Sequence, residues 1–145
     1  MAFHTNQKGI LCAGCQTLFK KYPGFYLPVR LWFEGLQLKH PELHISCAGR
    51  GRIAQELYFK NGESRAHYGE SAHNWNAAID VFFSTSKNQY DLGLDLFNQI
   101  IVPNLPDYLK WYGAADAKFK ERPHIELRDW HKMRDVNLLK IVEVT

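Results

Sequence analysis

The residues of this chain best suited to chemistry are His73, Asp80, Glu121 and His124. Asp80 stands in the stretch Ala77 to Phe83, whose other members are all apolar or small. An ionised carboxylate is costly there unless a partner offsets its desolvation, and a divalent metal is one such partner. His73 precedes the stretch and reaches the same ion if its loop folds back over the strand end. His124 can arrive from a neighbouring strand. Two imidazole nitrogens and one carboxylate oxygen form a recognised ligand set for catalytic zinc, with the fourth position left for water. Glu121 lies three residues before His124, so a turn through Arg122-Pro123 brings it to that position as a base, taking a proton from water and returning it to a leaving amine. Glu126 is an alternative base, but on a strand its side chain points the same way as that of His124. Taken singly, each residue has a plainer reading. Most histidines are surface or satisfied core residues, and a strand aspartate commonly caps a turn or pairs with an arginine.

The elements that must position these residues follow from periodicity and punctuation. Ile10 to Lys21 reads as a short helix stopped by Tyr22-Pro23-Gly24, and a second begins at Pro28 and runs to Leu38, before His40-Pro41. Leu43 to Cys47 alternates as a half-buried strand, and Arg52 to Lys60 has helical spacing with Asn61-Gly62 as its stop. Glu63 to Asn76 has no sustained period and reads as a long structured loop, a common place for function. In the strand Ala77 to Phe83, Ala78, Asp80 and Phe82 share one face, and Ala77, Ile79, Val81 and Phe83 the other. An amphipathic helix follows from Leu92 to Ile101, Tyr108 to Trp111 reads as a turn, and His124 to Leu127 as a third strand.

Composition narrows the class. The 145 residues are 46% hydrophobic and 23% charged, which fits one folded domain over residues 1–145 and excludes a disordered chain. No apolar run approaches the ~20 residues of a membrane span. The N-terminus has no apolar stretch that would act as a signal peptide, so synthesis in the cytoplasm is expected. Eighteen basic residues against fifteen acidic ones give +3, which suits a polyanionic surface such as a cell wall. The basic residues are scattered among acids, unlike the clusters that bind nucleic acid. Three cysteines argue against a disulfide framework. Cys12-Ala13-Gly14-Cys15 has the spacing of half a zinc site or a redox pair, but no second Cys-x-x-Cys or Cys-x-x-His completes it, and packing is the expected role.

Ser71-Ala72-His73-Asn74-Trp75-Asn76-Ala77-Ala78-Ile79-Asp80 resembles the Ser-x-His-x-x-Gly-x-Ala-x-Asp signature of peptidase family M15, the zinc D-alanyl-D-alanine carboxypeptidases and L-alanyl-D-glutamate endopeptidases. Glu121-Arg122-Pro123-His124 resembles that family's Glu-x-x-His element. Cys47-Ala48-Gly49-Arg50, followed by Gln55, Leu57-Tyr58 and Gly62, is similar to the segment in which a strand delivers an arginine and a helix a glutamine. The likeness covers about Leu43 to Leu127 and is greatest to small phage endolysins. Asn76 replaces the family's glycine, and asparagine is the residue next most able to take a left-handed backbone.

The resemblance implies an α+β fold of Hedgehog/DD-peptidase type, a small, mostly antiparallel sheet with helices packed on one face. It implies Zn2+ held by His73, Asp80 and His124, Glu121 as base and Arg50 at the oxyanion. Arg52 competes for that role, and the spacing to Gln55 favours Arg50. Ser71 and Gln55 are expected on the substrate side, with Ser71 equally a turn-forming serine. His67 and Tyr68 lie in the same loop, but a fourth protein ligand would close the centre, so His67 stays outside the metal set. Trp75 and Trp111 are either aromatic walls or core. The expected activity of this monomer is cleavage of peptidoglycan stem peptides at the L-alanyl-D-glutamate bond, acting on the wall after release from the cell that makes it. No nucleic acid or membrane partner is expected. A D-alanyl-D-alanine carboxypeptidase and a non-catalytic zinc or wall-binding module are the alternatives.

Overall fold

Strands arise wherever neighbours can cover their apolar faces, and the three read from the sequence form where the sequence places them. The computed structural model describes residues 9–85, 94–111, 113 and 123–143. Strands β1 (Leu43–Cys47), β2 (Ala78–Phe83), β3 (Leu109–Trp111) and β4 (His124–Leu127) form one antiparallel sheet in the order β1-β2-β4-β3. Helices α1 (Ala13–Lys20), α2 (Leu27–Lys39), α3 (Arg52–Lys60) and α5 (Trp130–Asp135) accompany it, with a short α4 (Leu94–Leu96) continuing as a π-helical turn through Ile101. The fold is therefore α+β, as expected. Among the described residues, no helix is long and apolar enough to cross a membrane.

Two elements differ from the sequence reading. The expected turn at Tyr108 to Trp111 is a turn only at its start, where Leu109 N–H donates to Pro106 O; Leu109–Trp111 then pairs with β4. Three residues are too few to show a period, and the strand exists because Leu127 and Ile125 face Leu109 and Trp111. The loop Glu63 to Asn76 closes on a 3-10 turn, Ala72–Trp75. The start of the Leu92 to Ile101 helix lies outside the described residues, as does Glu121.

Ile79, Val81 and Phe83 of β2 are buried with Leu43, Ile45, Ile125 and Leu127. Phe83 meets Phe97 edge-on, and Trp111 stacks on Phe97 at 5.4 Å between centroids, so Trp111 serves packing. Each such buried large side chain contributes roughly 1.5–3 kcal/mol. Helices α1 and α2 cover the free edge of β1: Cys15 Sγ accepts from Ile45 N–H, and Gln37 Nε2 donates to Leu43 O. This occupies groups that would otherwise invite another strand.

Asn76 ends the 3-10 turn in the left-handed region, φ 57° and ψ 35°, as its place in the motif suggested. Its Nδ2 donates to Lys140 O at 2.9 Å, tying the C-terminal segment to this turn. Asn76→Ala is expected to cost about 1–3 kcal/mol through backbone strain and the lost bond, and Asn76→Gly less. Urea unfolding midpoints check the order, and an alanine variant as stable as the parent would contradict it.

Candidate metal centre

The centre is assembled by strand register. Asp80 pairs directly with His124 across β2 and β4, so their side chains emerge side by side on one face. His73 comes from the 3-10 turn, whose N-cap is Ser71: the Ser71 hydroxyl accepts from His73 N–H, and Asn74 closes a capping box. The result brings three ligand atoms together. His73 Nε2 lies 3.2 Å from Asp80 Oδ1, His124 Nδ1 lies 3.3 Å from the same oxygen, and the two nitrogens are 3.2 Å apart. A tetrahedral ion bound at ~2.0–2.1 Å separates its ligand atoms by ~3.3 Å, so this triangle has the edge length of such a site.

The second hydrogen-bonding layer fixes which atoms face the centre. His73 Nδ1 is 2.7 Å from Ala48 O, and His124 Nε2 is 2.7 Å from Glu126 Oε1. Each ring donates its proton outward to an acceptor, so a neutral imidazole turns its lone pair inward, the arrangement metal-bound histidines adopt. Glu126, weighed above as a base, therefore orients His124, and its other oxygen accepts from Trp130 Nε1 at 3.0 Å. Three lone-pair bearers converging in a buried place need a cation, or a proton in its stead. Without a metal, burial is the largest influence on His73 and lowers it, but the charge of Asp80 and then of Cys47 outweighs this and raises it to about 10.

Of the two arginines considered, Arg50 reaches the centre. Its Nη2 donates to Asp80 Oδ2 at 3.5 Å, its Nη1 to Gln55 Oε1 at 3.2 Å, and its guanidinium lies 4.1 Å from the Tyr58 ring centroid. Arg52 stands over the Tyr68 ring instead. Gln55, expected beside the substrate, is fully buried behind Arg50. It donates to Ser64 Oγ and Ala66 O and accepts from Arg50 and Asn74. It touches the centre through Arg50. Ser71 is placed as a cap and acts on His73 through the backbone. His67 is exposed and bonded to Glu56 at 2.8 Å, outside the ligand set. Trp75 is half-buried with Nε1 donating to Gly69 O.

Two contributors escaped the sequence reading. Asn74 is fully buried and uses all its capacity: Oδ1 accepts from Gly69 and Ser71 N–H, while Nδ2 donates to Arg50 O and Gln55 Oε1. It joins the histidine turn to the arginine segment, and the Ser-x-x-Asn capping pattern was its signal. Cys47 lies with Sγ 3.8 Å from His73 Nδ1 and 3.6 Å from Arg50 Nη2. Among the described residues, Cys47, His73 and Asp80 form one group able to hold a metal, and Cys12, Cys15 and His44 another. Cys47 approaches the nitrogen of His73 that is committed to Ala48, whereas His124 approaches the other, so the His73, Asp80 and His124 triangle is the better set. No protein-family model and no curated protein matches the sequence.

Proposed function

We propose that this chain is a zinc-dependent peptidase that cleaves the stem peptides of peptidoglycan. The observation that carries the reading is the triangle of His73 Nε2, Asp80 Oδ1 and His124 Nδ1, with edges of 3.2 to 3.3 Å. Its outer acceptors leave the lone pairs of the triangle turned inward. Two nitrogens and one oxygen, with no thiolate in the triangle, is a catalytic zinc set; structural zinc sites are typically closed by four protein ligands. A zinc ion held by His73, Asp80 and His124 would supply a Lewis acid able to polarise the scissile carbonyl and lower the pKa of water from ~16 towards ~7.

The chain's own groups supply the rest. Glu126 and Ala48 O hold the imidazoles in one tautomer, and Arg50 bonds Oδ2 of Asp80 while Oδ1 lies toward the two histidines. The Arg50 guanidinium also places fixed positive charge where negative charge grows on the carbonyl oxygen. Glu121, in the Glu-x-x-His element, carries the proton from water to the leaving amine. The L-alanyl-D-glutamate bond is the favoured substrate, on the strength of the motif likeness.

The test is digestion of purified peptidoglycan and defined stem peptides by the full chain, with products weighed by mass spectrometry. Zinc-loaded protein is expected to release new amino groups, chelation to stop the release, and zinc to restore it. Cleavage that survives complete metal removal contradicts the mechanism. Zinc binding without cleavage of any stem peptide would instead leave a non-catalytic module.

A further inference from the structure

A second cluster of metal-ligating side chains lies apart from this centre. Cys12 caps α1 and Cys15 follows in its first turn, while His44 comes from β1; all three are buried, at 0%, 1% and 1% exposure. Their ligand atoms lie within 4.8 Å of one another, and Cys15 Sγ is 3.8 Å from His44 Nδ1. A tetrahedral ion with Zn–S ~2.3 Å and Zn–N ~2.0–2.1 Å separates sulfur from nitrogen by about 3.5 Å, so the pair needs only a small closure.

The surroundings of Cys15 also suit a thiolate. Its Sγ accepts two N–H bonds at 3.4 Å, from the Ile45 backbone and from Gln37 Nε2. Gln37 also accepts from Cys12 N–H, at 3.0 Å, so one buried amide steadies both cysteines. The start of α1 adds the positive end of a helix. With no ion, burial dominates and pushes the Cys15 thiol up to about 12; the backbone N–H of Ile45 and the Gln37 amide only partly offset it. A cation is the component that would let these donors act on a charged sulfur. A redox role fits poorly, because both sulfurs are buried from any exchange partner.

We propose that Cys12, Cys15 and His44 form a second metal site, for a thiophilic divalent ion with zinc as the first choice. The site fastens α1 to the edge strand β1. Among the described residues no fourth His, Cys, Asp or Glu joins the group. Both thiols lose a proton on binding, and the fold gains the binding energy. This site is independent of the peptidase reading and stands if that reading fails.

Cobalt(II) added to the metal-free full chain tests it, because thiolate ligation gives an intense near-ultraviolet charge-transfer band that nitrogen and oxygen ligands do not. The band is expected in the parent and in Cys47→Ser, and its loss in Cys15→Ser. Total zinc is expected to fall by about one per chain from the parent to Cys15→Ser, as one ligand set binds one ion. If Cys15→Ser fails to fold, the parent and Cys47→Ser decide alone. No band in the parent, or a band lost in Cys47→Ser, overturns the proposal.

Discussion

Replacing His73 by alanine is expected to empty the catalytic centre and end hydrolysis, whereas Glu121→Ala is expected to end hydrolysis and leave the metal in place. His73 is 2% exposed and contributes one corner of the ligand triangle. Without it Asp80 and His124 remain as a two-point set, and the affinity that depends on three convergent ligands is lost. In the proposed mechanism Glu121 acts on the proton alone, so its removal should cost the ~10²–10⁴-fold typical of a positioned general base. Metal analysis beside a peptide-release assay, on variants shown to be folded, separates the two. A Glu121→Ala chain that cleaves at the parental rate would remove Glu121 from the mechanism, and a His73→Ala chain that keeps its full zinc content would remove His73 from the centre.

Much of this centre could be read from the sequence because its parts are local. Asp80 stands out within a strand whose other members are all apolar or small, and Pro41, Gly49 and Asn61-Gly62 punctuate the elements around Arg50. Asn76 in the place of a glycine announced its left-handed backbone, which the 3-10 turn uses. What could not be read depends on long-range register and packing. That His124 falls opposite Asp80 is a property of how β4 docks on β2, and a bulge between Ile45 and Cys47 is what sets Cys47 beside Asp80 instead of one position away. Strand alternation put Glu126 on the same face as His124, but only the 2.7 Å contact with the ring shows that it serves the histidine. His44 was the least visible. It is a ligand candidate only because α1 lies along the free edge of β1, and nothing near Cys12-x-x-Cys15 in sequence points to it.

Stripping the metal is expected to make folding stability fall as pH rises from neutral to about 10, and zinc is expected to remove that fall. In the metal-free centre a proton replaces the cation. His73 is raised from its ordinary 6.5 to about 10, because the charge of Asp80, then of Cys47, outweighs the larger single influence of burial. His124 is raised too: burial lowers it, and its bonds to Asp80 and Glu126 more than compensate. Asp80 moves the other way, since burial lifts it but His73 and His124 together hold it well below 3.8. A base whose pKa is raised on folding stabilises the fold below its unfolded value and loses that contribution as pH climbs through the folded one. For His73 the loss spans 6.5 to about 10, and for a group so buried it is on the order of a few kcal/mol. A carboxylate with a lowered pKa contributes above its unfolded value, so Asp80 weakens the fold only as pH drops below about 3.8. Zinc requires both imidazoles neutral and therefore displaces this proton, which makes its apparent affinity grow across the same alkaline window. Thermal unfolding of chelated and zinc-loaded protein should show a gap in Tm that widens with pH. The Cys15→Ser chain is the one to use, because it leaves this centre as the sole proposed zinc site. Parallel Tm curves would mean that zinc displaces no proton from His73, and the exchange of proton for metal at this triangle would have to be given up.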